Sequence, residues 1–141
     1  GCWEQYCSGN ALERYARSRI GSEPTLLEAL CSGDAERLTG PMVADAAAEG
    51  DLVALEAFRR IGDWLGVGTA NLVAAFDPEI VVIGGGVSAA GDRLLEPARS
   101  ALARTLVGAG HRTAPGLVAA ELGPEAGLVG AAELSRSRSD A

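Results

Sequence analysis

Positive charge is scarce in this chain. Its 12 Lys and Arg stand against 19 Asp and Glu, for a formal net charge of −7 and a pI near 4.7. Both a nucleic-acid surface and an anionic membrane need a positive field, so this balance argues against either as partner. Long apolar runs are also lacking. The stretches from Leu65 to Phe76 and from Ile80 to Ala90 are interrupted by glycine or polar residues and fall short of a membrane span. Cysteines number only three, with no secretory signature, which reads as reduced thiols in a cytoplasmic protein and speaks against disulfides. The one histidine, His111, lies between glycine and arginine in an expected loop, so it is read as exposed and given no catalytic role. No internal repeat, linker or low-complexity insert interrupts the sequence.

What remains is an ordinary globular composition. With 141 residues, 48% of them hydrophobic and 22% charged, the chain suffices for one domain with a real core. Its most informative stretch is Asp77-Pro78-Glu79-Ile80-Val81-Val82-Ile83-Gly84-Gly85-Gly86-Val87-Ser88. The unalternating run Ile80 to Ile83 predicts a strand covered on both faces, in the centre of a parallel sheet. Three glycines then bring bare backbone to the carboxyl end of that strand, where ligands lie in open α/β sheets. The glycines do not match a dinucleotide fingerprint, since Val87, Ser88 and Ala89 follow, and no Gly-Lys-Ser or Gly-Lys-Thr completes a P-loop. From these residues alone, nucleotide contact and a plain structural turn both fit.

Helical spacing accounts for most of the rest. Ser8 caps a predicted helix to Arg19 with Leu12, Tyr15 and Ala16 inward, and Glu13 and Arg17 form a surface pair of little worth. A short helix opens at Pro24 and ends near Gly33. Thr39 and Gly40-Pro41 start another that buries Met42, Val43, Ala46 and Ala47 and stops at Gly50. Asp51 caps the longest helix, to about Phe76, with Leu52, Leu55, Phe58, Ile61, Leu65 and Leu72 as its apolar stripe. Gly62, Gly66 and Gly68 each cost this helix about 1 kcal/mol against alanine. Either other backbone approaches closely there, or the helix breaks near Gly66. A helix from Gly91 to Gly108 turns Leu94, Leu95, Ala98, Leu102 and Leu106 inward, Pro97 causes at most a local irregularity, and Ser88 is a candidate cap. Leu117 to Ala120 reads as a second strand, and Pro124-Glu125 introduce a last helix from Ala126 to about Ser135. Residues 135–141 are expected to be a flexible polar tail after a domain spanning 1–134. The alternation of helices and strands predicts right-handed parallel crossovers in an α/β fold.

Three motifs, in order, carry a resemblance. Gly1-Cys2-Trp3-Glu4 with Ser8-Gly9, the glycine run, and Leu122-Gly123-Pro124-Glu125-Ala126-Gly127-Leu128-Val129-Gly130-Ala131-Ala132 resemble segments of the ROK family of bacterial sugar kinases and repressors. Within it, Cys-Trp-Glu-Gln-Tyr-Cys-Ser-Gly at positions 2 to 9 looks most like the glucokinases, particularly the actinobacterial ones. The resemblance implies part of the carboxyl-terminal domain of an actin-like ATPase (ribonuclease H-like) kinase, mostly helical with at least two parallel strands. It implies transfer of the γ-phosphoryl of ATP, with magnesium, to the 6-hydroxyl of glucose. The sugar-sensing domain of a ROK repressor is the alternative, and the acidic balance tilts against it.

The same resemblance assigns residues. Cys2 matches the last cysteine of a structural zinc site whose other ligands, a histidine and two cysteines, have no match here, so zinc is expected in the parent protein and not on this chain alone. Without the resemblance, Cys2 reads as an exposed free thiol. Cys7 and Cys31 read as packing residues. Glu4 matches the glutamate that reaches the sugar hydroxyls, a role suited to a carboxylate that accepts two directional hydrogen bonds. Gly84, Gly85, Gly86 and Val87 match the adenosine side of the nucleotide site. The family's Asp-Gly-Gly-Thr-type phosphate turn and Asn-Asp catalytic aspartate find no match, so this chain is expected not to turn over alone. Two strands would leave a sheet with bare edges, which predicts self-association or a bond to a separate amino-terminal part.

Overall fold

The computed structural model describes residues 2–139. Six α-helices dominate: α1 (Gly9–Arg17), α2 (Leu26–Leu30), α3 (Gly40–Ala48), α4 (Leu52–Phe76), α5 (Asp92–Thr105) and α6 (Ala126–Ser139). Strands β1 (Ile80–Ile83) and β2 (Gly116–Ala119) pair in parallel, Ile80 opposite Gly116 and Ile83 opposite Ala119, with α5 forming the crossover. The last helix runs on to Ser139, past the end expected near Ser135, while Asp140 and Ala141 of the expected tail lie outside the described residues.

Caps set the helix starts. Ser8 Oγ accepts from the Ala11 N–H at 3.2 Å, closing the first turn of α1 as its sequence position predicts. Asp51 does more than cap α4. One carboxylate oxygen accepts from the Ala54 N–H at 2.9 Å, and the other takes the Leu26 N–H at 2.7 Å and the Thr25 hydroxyl at 2.9 Å. The starts of α2 and α4 are thereby tied through one buried carboxylate. Thr39, by contrast, makes no side-chain cap. Glu13 of α1 replaces it, accepting from the Gly40 N–H at 2.7 Å while its other oxygen pairs with Arg17 at 3.1 Å. Arg17 in turn donates to the Leu38 carbonyl at 2.7 Å. The pair read from sequence as surface decoration is a half-buried clamp between α1 and the start of α3, because a tertiary neighbour presents unpaired backbone to it.

The core gathers Leu12, Leu27, Val43, Phe58, Ile61 and their neighbours from α1 to α4, and continues along α5. The α4 stripe differs from the expected one. Leu52 is 80% exposed, and Leu55 and Leu72 also face outward, whereas Val53, Ala54, Ala57, Gly62, Gly66, Ala70 and Val73 are buried with Phe58, Ile61 and Leu65. Small residues win this face because α5 lies against it at backbone distance. A Cβ at Gly62 would stand 2.7 Å from the Leu94 carbonyl oxygen and 2.6 Å from Pro97 Cγ, and one at Gly66 would stand 2.2 Å from the Ala98 carbonyl oxygen. Helix α4 runs unbroken through all three glycines, so close approach is the reason for these two. Pro97 sits inside α5 without ending it.

The strand β1 departs from the expected central position. Its single partner among the described residues is β2, and only the face carrying Val81 and Ile83 is packed on the core. Ile80 and Val82 point the other way and stay 55% and 57% exposed, since no described element covers them.

Gly66→Ala is expected to lower stability by about 2 kcal/mol through overpacking, outweighing the ~1 kcal/mol that alanine gains over glycine in a helix. A melting temperature equal to or above that of the parent would show that α5 can retreat.

Burial pushes the Asp51 carboxyl up, but the hydrogen bonds from Ala54, Leu26, Thr25 and Val53 outweigh it and hold the group below the usual carboxylate range. Its contribution is therefore complete above the unfolded-state value and is lost as pH falls through the folded-state one. Asp51→Ala should cost about 2 kcal/mol near neutrality, and the deficit should narrow on acidification below about pH 4. Parallel denaturant curves for both proteins across that range check this; a gap independent of pH would refute it.

Candidate functional site

A cleft of about 390 Å³ opens where the β1 end, the start of α1 and the α4–α5 seam meet. Ile61, Leu65 and Leu94 contribute an apolar lining; Ile83 to Ser88 line one side, and Trp3, Glu4, Cys7, Ser8 and Gly9 the other. Glu4 and the glycine run, singled out separately in the sequence, thus line one cleft. Cys2 does not line it.

The glycine side is held by a feature that sequence reading misassigned. Ser88 does not cap α5, which starts at Asp92 behind Gly91 with no side-chain cap. Buried at 3% exposure, Ser88 instead folds back: its Oγ donates to the Gly85 carbonyl at 2.7 Å and its N–H to the same oxygen at 3.1 Å. That bond fixes a turn in which Gly85 adopts φ 89° and ψ 169°, a region open essentially to glycine alone. Gly84 and Gly86 have no such constraint. A Cβ on either would meet no atom within 4 Å, so their bare backbone faces open space.

The other wall is the turn Trp3–Gln5, held by contacts absent from the sequence reading. Trp3 lays its indole over Gly68 of α4, where a Cβ would come within 2.0 Å of the ring, and its Nε1–H donates to the Trp64 carbonyl at 2.8 Å. Tyr6 packs against Trp64 with the rings tilted by 39° and their centroids 4.8 Å apart, and Arg14 donates to the Gln5 carbonyl. Gly68 is thus explained by a side chain from the amino end rather than by the backbone approach seen at Gly62 and Gly66. The signal lay in its i+4 spacing from Trp64, which places it on a different face from those two. Val87 closes the corner, 3.4 Å from where a Cβ on Gly9 would stand.

The thiols divide by burial. Cys31 is buried, with Sγ 3.5 Å from the Glu28 carbonyl, and Cys7 is half-buried with its thiol pushed up by burial, consistent with packing roles. Cys2 is exposed. Among the described residues no group of three or more His, Cys, Asp or Glu side chains could hold a metal ion. The residues present therefore do not by themselves fit a closed zinc site, which needs four ligands. His111 is exposed, as expected. No helix is long and apolar enough to cross a membrane among the described residues.

Residues 1–138 match the model of the ROK family. The chain belongs to that family. As a ROK protein it is 44% identical over 139 residues to a glucokinase of Streptomyces coelicolor, covering 96% of this chain and 44% of that one. A glucokinase of Thermotoga maritima is 33% identical over 138 residues, covering 98% and 43%. The crystal structure of a ROK glucokinase from Streptomyces griseus in complex with glucose and AMPPNP superimposes with a TM-score of 0.92 at 44% identity, covering 97% of this chain and 45% of that one. The mostly helical fold with two parallel strands is thus part of the actin-like ATPase architecture of ROK kinases. This ROK chain spans less than half the length of these relatives.

Gly68→Ala should leave the helix intact, since alanine favours it by about 1 kcal/mol, but should displace the Trp3 indole. The expected readout is loss of exchange protection at the Trp3 indole N–H with global melting unchanged or raised. A still-protected indole would mean that α4 moves instead.

Proposed function

We propose that this chain belongs to an ATP-dependent glucokinase that moves the γ-phosphoryl of ATP to the 6-hydroxyl of glucose. The observation that carries the reading is the shared cleft: a carboxylate at Glu4 and bare backbone at Gly84 to Gly86 line one space. Likeness to proteins named glucokinase, 44% and 33% identical over nearly the whole of this chain, supports a kinase over a sugar-sensing repressor.

In the transfer, the bond between the γ-phosphorus and the β,γ-bridging oxygen breaks, a bond to the sugar oxygen forms, and the hydroxyl proton leaves to a base. Such chemistry rests on positioning and charge stabilisation. Glu4 accepts hydrogen bonds from adjacent sugar hydroxyls and so fixes the ring. Gly84, Gly85 and Gly86 let the adenosine lie against the main chain, with Val87 beside it. The apolar lining from Ile61, Leu65 and Leu94 excludes water. Magnesium, when bound, neutralises phosphate charge; no described residue is assigned to it. Cys2 would be one ligand of a zinc site in the whole protein, and no step is routed through that metal. The three free cysteines support a reducing, cytoplasmic setting, and the uncovered Ile80 and Val82 support association with a further segment or a second copy.

The test is a coupled assay on the full-length protein with glucose, ATP and magnesium. Glu4→Ala should raise the glucose KM about tenfold or more by removing hydrogen bonds to a charged acceptor, with the ATP KM nearly unchanged. An unchanged glucose KM would remove Glu4 from the site, and a wild-type protein without turnover would overturn the reading itself.

A further inference from the structure

A second concavity, of about 280 Å³, adjoins the cleft and shares Ile61 with it. The turn Trp3–Gln5 stands between the two, with Trp3 and Glu4 lining the cleft and Gln5 lining its neighbour. Tyr6, Arg14, Tyr15, Arg60 and Trp64 complete the second lining, together with Ala11 and Ser18. Its chemistry is unlike that of the surrounding surface. In a chain of net charge −7, two guanidiniums face this space and no carboxylate lines it. Most described arginines are held in ion pairs with Asp or Glu; Arg14 and Arg60 are in none. The nearby Glu56 is taken by Arg59, which grips both its oxygens at 2.6 Å. Arg60 lies over the Tyr15 ring, 5.2 Å from its centroid, and Arg14 spends one N–H on the Gln5 carbonyl. Each guanidinium has five N–H donors, so most remain available to a ligand.

We propose that this concavity is a binding site for a small phosphate monoester, its phosphoryl group held by Arg14 and Arg60 and its body resting on Tyr6 and Trp64. A phosphate monoester carries nearly two negative charges at neutral pH and three acceptor oxygens, which suits two guanidinium forks. The volume is at the small end for ligand pockets, which favours a compact body over a nucleotide. The tilted Tyr6 and Trp64 rings offer apolar surface beside the cationic end, and their N–H and O–H groups suit a partly polar body. The site does not depend on the proposed phosphotransfer; the choice of a hexose phosphate as probe does.

Isothermal titration of the full-length protein with glucose 6-phosphate, in saturating glucose so that the cleft is filled, tests the site without reference to activity. One binding event is expected. Arg14→Gln and Arg60→Gln should each weaken it about tenfold or more, the loss of a hydrogen bond between charged groups, with the helical far-ultraviolet dichroism retained, while Glu4→Ala retains it. Affinity should fall with rising salt. If either glutamine variant fails to fold, Arg60→Lys supplies the comparison, with a weakened but measurable affinity expected because it keeps charge and loses the fork. Absence of binding at millimolar ligand overturns the proposal. So does binding indifferent to Arg14 and Arg60, or lost in Glu4→Ala, which would put the ligand in the cleft. Inorganic phosphate binding as tightly as the sugar phosphate also overturns it, because the aromatic pair would then hold no body. Loss of kinase activity with this binding intact would count against the glucokinase reading alone.

Discussion

The approach of α5 to α4 at Gly62 and Gly66 is the contact on which the rest of the molecule depends. With no side chain intervening, the Leu94 and Ala98 carbonyl oxygens of α5 lie where a Cβ of α4 would otherwise sit. Each glycine weakens α4 as an isolated helix by about 1 kcal/mol, and dense contact along the seam offsets that loss. The consequence is positional. Helix α5 carries Leu94 into the cleft and closes the crossover from β1 to β2, so the seam fixes how far the glycine turn stands from α4. A looser seam would move Gly84 to Gly86 away from the wall that presents Glu4.

Local chemistry was largely legible in the sequence. Ser8 and Asp51 announce helix starts because a short polar side chain before an apolar-periodic run has one common use. The run Ile80 to Ile83 followed by glycines announces a strand and a bare turn. What could not be read there was decided by partners distant in sequence. Leu52, Leu55 and Leu72 fit a helical stripe on hydrophobicity, yet the buried face of α4 is the one that lets another backbone in, and alanine and glycine give a weak signal of that kind. Glu13 finds the start of α3, and Trp3 finds α4, through contacts that no local window contains. The same limit applies to β1, whose composition announces burial on both faces while the described residues cover one.

An acidic chain that is to receive an anion must handle charge locally. At the glycine turn it relies on bare backbone, with Gly85 in a conformation few other residues adopt and Ser88 holding it there. Behind the Trp3–Gln5 turn it places two guanidiniums, Arg60 over the Tyr15 ring and Arg14 on the Gln5 carbonyl, in a concavity that no carboxylate lines.

The aromatic residues are unevenly placed, and this affects how the molecule can be observed. Trp3 and Trp64 touch each other through a hydrogen bond at the amino-terminal wrap, whereas Phe58 is the only aromatic ring buried in the core among the described residues. Intrinsic tryptophan emission from this chain therefore reports whether residues 3 to 6 are seated on α4, and says little about the packing of α4 on α5. Far-ultraviolet dichroism, which follows the helices, reports the reverse. An unfolding curve followed by light emission and one followed by dichroism would describe two separate events, and their midpoints coincide only if the wrap and the helical core come apart together.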